Sequence, residues 1–327
     1  MGSPFRGCFI SAQNVANRAH VQPPPSKVAM TERHPILNEL DPGRHVLIAG
    51  PTASGKSALA LTIAEQQGGI VVNADALQVW SCWNLLTARP SPEDEARARH
   101  VLYGHITPDR AYSVGEWLAE VAELIKARQT RLIIVGGTGL YLSTLTRGLA
   151  AIPPTPPRIR AQADQILREP GGLAQLVSEL DPATRARIDL QNPVRVQRAW
   201  EVLQATGRGI ALWQAETPPP LISPEAAHLL VLQADRDRLA ERIARRFHQM
   251  IAQGVLDEVR AVLPDWNPGA LWAKAIGAPE LVAHLQGQLS LEEATRLAII
   301  ATRQYAKSQR SFFRGRMRDW RRIESNI

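Results

Sequence analysis

The 327-residue sequence predicts an α/β fold in which a parallel sheet carries helices on both faces and holds a small all-helical domain as an insertion. Three observations support this. Short, wholly apolar runs alternate with stretches of helical period, as in a sheet buried on both sides. A glycine-rich phosphate loop follows the first of these runs. Two proline-rich joints, at 153–157 and 218–220, bracket a stretch whose pattern is helical.

In chain order, residues 1–43 read as a disordered N-terminal extension: they hold three consecutive prolines and no acidic residue before Glu32. Val46-Leu47-Ile48-Ala49 is the first strand. Residues 57–67 form a helix with Ala58, Leu59, Leu61 and Ile63 on its apolar side. Ile70-Val71-Val72 is the second strand, ending at Asn73-Ala74-Asp75. A helix over 114–128 leads to the third strand, Leu132-Ile133-Ile134-Val135. Helical patterns at 159–167 and 193–206 fill the space between the proline joints. Leu229-Leu230-Val231-Leu232 then resumes the sheet, and helices follow at 236–253 and 291–309. This divides the chain into a sheet domain (44–151 and 226–327, ending in basic helices) and a helical insertion (152–225) on stiff linkers.

The net charge of +7 is concentrated near the C-terminus. Between Arg303 and Arg322 lie eight cations and a single anion, Asp319, with Tyr305, Phe312, Phe313 and Trp320 interleaved. Such a cluster suits a polyanionic partner, although a terminal helix with a core-facing aromatic edge explains it equally well. No run of about 18 apolar residues is present, so no membrane span is expected. Cys8 and Cys82 form no metal-ligand pattern and suit a reducing compartment; the expected location is the cytoplasm.

Gly50-Pro51-Thr52-Ala53-Ser54-Gly55-Lys56-Ser57 matches G-x-x-x-x-G-K-[ST] in full, between an apolar strand and a helix. Its backbone N–H groups and the helix dipole suit phosphate oxygens. Lys56 supplies charge and Ser57 a hydroxyl for Mg2+. The sheet is therefore P-loop NTPase-like, and nucleotide binding, including ATP, belongs to that class. The third strand, however, runs into Gly136-Gly137-Thr138-Gly139 with no carboxylate to organise a metal-bound water, which argues against nucleotide hydrolysis. Ligands of such sheets lie beyond the carboxyl ends of the strands, so Ser54, Asp75 and Thr138 are expected to face one crevice. Asp75 is the candidate base, although an Asp at a strand end can equally cap a turn. Gln78 offers a donor and an acceptor together, which suits a nucleobase edge.

From Val46 to the C-terminus the sequence resembles the bacterial-type tRNA dimethylallyltransferases, also called tRNA isopentenyltransferases. GPTASGKS at 50–57, NADALQ at 73–78, TARP at 87–90, YSVG at 112–115 and GGTGLY at 136–141 occur in the family's order and spacing. So do NPVRVQRAWEV at 192–202, KAIG at 274–277 and ATRQYAKSQRSFFR at 301–314. The resemblance implies transfer of the dimethylallyl group from dimethylallyl diphosphate to N6 of adenosine 37 in tRNA. By that resemblance Asp75 is the base, Thr138 contacts the oxygen between the allylic carbon and phosphorus, and Lys56 with Mg2+ holds the diphosphate. Arg236 and Arg242 are expected to clamp the leaving group. The insertion is expected to grip the tRNA anticodon stem-loop. The implied tRNA contacts are Asp75, Ala76, Leu77, Gln78, Arg160, Val194, Arg195, Val196, Gln197, Arg198 and Lys274. A monomer suffices for this chemistry.

Ala76 stands where the family usually has Ser, Trp80 where Tyr is common, and Ala278-Pro279 where an aromatic–basic pair is frequent. None of these removes Lys56, Asp75 or Thr138. The rival readings are a phosphate-loop kinase of a small metabolite, a prenyltransferase of free adenine nucleotides, and a non-catalytic RNA-binding protein. The hinged insertion and the basic C-terminal region favour a macromolecular acceptor over either small-molecule enzyme.

Overall fold

The computed structural model describes residues 35–127 and 130–325. Pro35–Glu39, the described part of the first of two units, forms a 3-10 helix. Most of the expected extension lies outside the described residues. Its last part, however, is ordered: the Asp41 amide donates to Nε2 of His228 on the sheet at 2.9 Å.

Residues 40–327 form the second unit. Its first half alternates strand and helix: β1 (His45–Ala49), α1 (Lys56–Gln67), β2 (Ile70–Asn73), α2 (Pro92–Arg97), β3 (His100–Val101), α3 (Val114–Lys126), β4 (Leu132–Gly136) and α4 (Gly139–Arg147). Five helices follow without a strand: α5 (Pro157–Arg168), α6 (Gly172–Ser178), α7 (Pro182–Arg185), α8 (Pro193–Thr206) and α9 (Ile210–Ala215). The sheet resumes with β5 (Ala227–Gln233), α10 (Arg236–Ala252), α11 (Val255–Val262), α12 (Ala278–Leu285), α13 (Leu291–Arg316) and β6 (Arg321–Glu324).

All six strands are parallel, in the order β3-β2-β4-β1-β5-β6. β1 lies inside the sheet and is paired on both sides, with Leu47 opposite Ile134 and Leu229. Successive side chains point to opposite faces. Leu47, Ala49, Val72 and Ile134 share one core cluster with Trp117 and Val121 of α3 and Leu142 and Leu145 of α4. The buried α1 residues Leu59 and Ile63 are absent from that cluster, although α1 packs on β1, β2 and β4. Helix α1 therefore covers the opposite face.

The five-helix stretch has its own core of Ile159, Ala163, Leu176, Leu180, Val196, Ala199 and Trp200. Its two ends meet. The Ile222 amide donates to the Leu145 carbonyl at 2.9 Å, and a Cβ on Gly148 would lie 2.2 Å from the Pro218 carbonyl oxygen.

The basic C-terminal run departs from a purely helical reading. Helix α13 stops at Arg316, and Arg321–Glu324 forms an edge strand paired with β5. Phe313 and Trp320 are buried, so the interleaved aromatics serve mainly the core.

Candidate functional site

The loop between β1 and α1 leads into the N-terminus of α1, whose free backbone N–H groups suit an anion. Two of its residues are left-handed, Gly55 at φ 84° and Ala53 at φ 62°. The second costs about 1 kcal/mol for a residue with a Cβ. Contacts from outside hold the loop in that shape. Ser325 Oγ donates to the Ser54 carbonyl at 2.8 Å, and the Thr52 amide donates to Oε1 of Gln309 at 2.9 Å. Lys56 folds back, its ammonium donating to the Pro51 carbonyl at 3.4 Å. Loss of water draws the Lys56 pKa down to about 8. Asp75 opposes that shift and Arg246 adds to it.

Asp75 is fixed by the turn that β2 feeds. Its amide donates to Asn73 Oδ1 at 2.8 Å, and its Oδ1 accepts the Leu77 amide at 3.0 Å. The neighbouring Ala76 amide donates to Thr138 Oγ1 at 2.9 Å, and the Thr138 amide donates to the Ala74 carbonyl at 3.3 Å. Asp75 and Thr138 are thus locked together by hydrogen bonds between the ends of two adjacent strands.

A cavity of ≈ 80 Å³ opens over this turn. Its polar lining includes Asp75, Thr52, Thr87, Arg246, Thr302 and Tyr305. Its apolar wall is built by Leu77, Leu86, Ile243, Phe247, Met250 and Ile276. Helix α10 delivers Ile243, Phe247 and Met250 because these recur at helical spacing on its buried face. Burial lowers the Arg246 pKa, while the Asp75 carboxylate partly restores it. The Tyr305 phenol is held protonated, first by burial and then by Asp75. Glu258 of α11 accepts the amides of Asn84, Leu85 and Leu86 and so pins the loop that carries Leu86 and Thr87.

A second, larger basin of ≈ 540 Å³ lies beside Pro51 and is lined by Arg236, Arg310, Arg314 and Arg322. Burial lowers the Arg310 pKa, with Arg236 and Arg314 adding to the effect.

Several expected positions fall elsewhere. Ser54 is fully buried, its hydroxyl without a partner, and of the three residues expected to share a crevice only Asp75 lines the cavity; Thr138 stands behind it, bonded to the Ala76 amide. Arg236 lines the second basin rather than the Asp75 cavity, and Arg242 lines neither. Ser57 is exposed beside Gln78, Arg89 and Tyr103 and lines neither the Asp75 cavity nor the arginine basin. The Gln78 amide nitrogen donates to the carbonyls of Thr87 and Ala88, leaving only its oxygen for a base edge. Val196 is a core residue with no exposure, so within 194–198 the exposed side chains are Val194 and Arg195. Arg160 and Arg198 both reach the buried Glu201, at 3.4 and 3.9 Å, and Gln197 donates to it at 3.1 Å. Lys274 is exposed.

Arg246, Tyr305 and Gln309 were missed by the motif reading. For Arg246 a signal was present, because it lies three residues after Ile243 and four before Met250, on the inward face of α10.

A family model described as IPP transferase matches residues 78–316. A tRNA dimethylallyltransferase of Paracoccus denitrificans is 76% identical over 298 residues, covering 90% of this chain and 99% of its own. That of Dinoroseobacter shibae is 60% identical over 289 residues, covering 88% and 96%. The crystal structure of a tRNA isopentenylpyrophosphate transferase from Bacillus halodurans superposes with a TM-score of 0.61 at 28% identity, covering 86% of this chain and 90% of that one. A eukaryotic dimethylallyltransferase, solved acting on tRNA, shares the fold at a TM-score of 0.72 and 23% identity, covering 86% and 73%.

Proposed function

The chain belongs to the IPP transferase family of tRNA dimethylallyltransferases, and from that premise we propose that it transfers the dimethylallyl group of dimethylallyl diphosphate to N6 of adenosine 37 in tRNA, releasing diphosphate. The observation that carries the reading is the single cavity in which Asp75, the phosphate loop and Arg246 meet an apolar wall. A prenyl diphosphate needs all of these: cations and backbone N–H groups for the diphosphate, apolar surface for the five-carbon chain, and a base opposite.

In this reaction the N6 lone pair forms the new bond to C1 of the allyl group. The C1–O bond breaks, its electron pair leaves with the diphosphate, and an N6 proton passes to Asp75. Lys56 and Arg246 stabilise the negative charge that builds on the leaving group, and more strongly in a site shielded from water. Thr138 keeps the Asp75 turn in place through the Ala76 amide.

The residues fit a magnesium ion of the kind that phosphate loops hold. Mg2+ keeps several waters and asks for one or two protein oxygens beside phosphate oxygens. The exposed Ser57 hydroxyl in the first turn of α1 meets that modest demand. Ser57 would hold the ion, which would supply charge neutralisation to the diphosphate.

The anticodon stem-loop would dock on exposed cations, namely Arg160 and Arg195 of the five-helix stretch, Lys274, and Arg303, Lys307 and Arg314 of α13. These touch phosphates and give affinity, while the target base leaves its stack to reach Asp75. We assign the protein to the cytoplasm as a monomer; among the described residues no helix is long and apolar enough to cross a membrane.

The test is label transfer from radiolabelled dimethylallyl diphosphate to unmodified tRNA with adenosines at positions 36 to 38, with AMP as the competing acceptor. Labelled tRNA and unlabelled AMP support the reading. Phosphorylation of a small molecule from ATP, with the tRNA unlabelled, would replace it by a kinase.

A further inference from the structure

Helix α13 carries a buried polar side chain that the transfer chemistry above leaves unused. Gln309 is 5% exposed. Its amide oxygen accepts the N–H of Thr52 at 2.9 Å, and its amide nitrogen donates to the carbonyl of Gly137 at 3.0 Å. One turn earlier on the same helix, the Tyr305 phenol lies beside the side chains of Gln309 and Thr138. Both ends of one side chain are thus committed to backbone, at the phosphate loop on one side and the turn after β4 on the other.

Gly137 shows how narrow the junction is. A Cβ there would lie 2.2 Å from Gln309 Nε2 and 3.2 Å from Asp75 Oδ2. A single glycine therefore separates the amide from the carboxylate, and any side chain at 137 would wedge the two elements apart.

We propose that Gln309 is a positioning residue for group transfer, setting the separation between the loop that holds the leaving group and the Asp75–Thr138 turn. This rests on the transferase reading. The reacting carbon must lie between the diphosphate and the base, and a displacement of about 1 Å costs on the order of 100-fold in rate. At neutral pH a primary amide offers an acceptor for Thr52 and a donor for Gly137 together, which an ionised carboxylate of the same length does not. A glutamate keeps the first and sets an anion against the Gly137 carbonyl; a leucine keeps neither.

The experiment compares wild type, Gln309→Leu, Gln309→Glu and Gly137→Ala in single-turnover transfer at saturating dimethylallyl diphosphate and tRNA. Filter binding of tRNA and thermal melts accompany it. The expected result is a rate reduced about 10- to 100-fold in Gln309→Leu and Gly137→Ala, with tRNA Kd within about twofold of wild type. Gln309→Glu reports separately: its rate relative to wild type should rise as pH falls, because a protonated carboxyl regains a donor for Gly137. Variants as fast as wild type, a loss confined to tRNA Kd, or a pH-independent ratio for Gln309→Glu would overturn the assignment. A wild type that transfers nothing overturns both this proposal and the transferase reading; an active wild type with unaffected variants overturns this one alone.

Discussion

The hydroxyl oxygen of Thr138 accepts the backbone N–H of Ala76 at 2.9 Å, so the turn after β4 directly fixes the residue next to Asp75. Replacing Thr138 by Val keeps its shape and leaves the Ala76 amide without that acceptor, at a cost of about 1–3 kcal/mol. Thr138→Val should lower both kcat and the urea midpoint, whereas Thr138→Ser should retain most of both. Matching kinetics for wild type and Thr138→Val would show that the contact does not hold the base in place.

Asp75→Asn removes the proton acceptor while keeping the side chain's size and its carbonyl oxygen for the Leu77 amide. Turnover should fall by about 10²- to 10⁴-fold, with tRNA binding in a gel shift unchanged. Equal turnover would remove Asp75 from the role of base.

Lys56 gives a pH dependence whose sign is set by its lowered pKa. The ammonium is the form that binds diphosphate, and in the free protein it persists only below about 8. Above that pH, binding must first take up a proton, so donor affinity should weaken by about tenfold per pH unit. Lys56→Arg, charged throughout, should flatten the profile of donor KM between pH 7 and 10. A wild-type profile already flat over that range would contradict the assignment.

Arg160 and Arg198 share the buried carboxylate of Glu201 but differ in exposure, the Arg160 side chain being 60% exposed and that of Arg198 39%. Arg198 also donates to Thr155 Oγ1 at 2.5 Å, within the first proline joint. Arg160→Ala should weaken tRNA binding and reduce the salt slope of log Kd by about 1, with little effect on unfolding. Arg198→Met should instead lower the urea midpoint, because it leaves Glu201 buried with fewer partners. Identical effects on tRNA binding and unfolding would show that the two arginines do the same job.

The strands were legible because β1, β2 and β4 each carry an unbroken apolar run of three or four residues, punctuated by glycine or Asn-Ala-Asp, a pattern with few other solutions. Edge strand β6 was not. An edge strand needs only backbone pairing on one side, so its charged residues Arg321-Arg322 read as a basic tail. The phosphate loop and Asp75 carry local sequence signatures and fall next to one another across the sheet. Arg246 and Gln309 come from helices distant in sequence, each inside a run of similar polar residues. Only tertiary packing decides which member of such a run turns inward. The same reason placed Arg236 in a neighbouring basin and turned Val196 into a core residue.

The meeting of Gly148 with Pro218, and of Leu145 with Ile222, makes the whole five-helix stretch a closed loop on the sheet. Closing it costs little more for a long segment than for a short one, since loop entropy grows only logarithmically with length. Helices can therefore be added, lost or exchanged beyond that pinch without shifting β4 or β5. With the tRNA contacts proposed for this stretch, acceptor recognition would change in lineage or laboratory while β4 and β5 stay fixed.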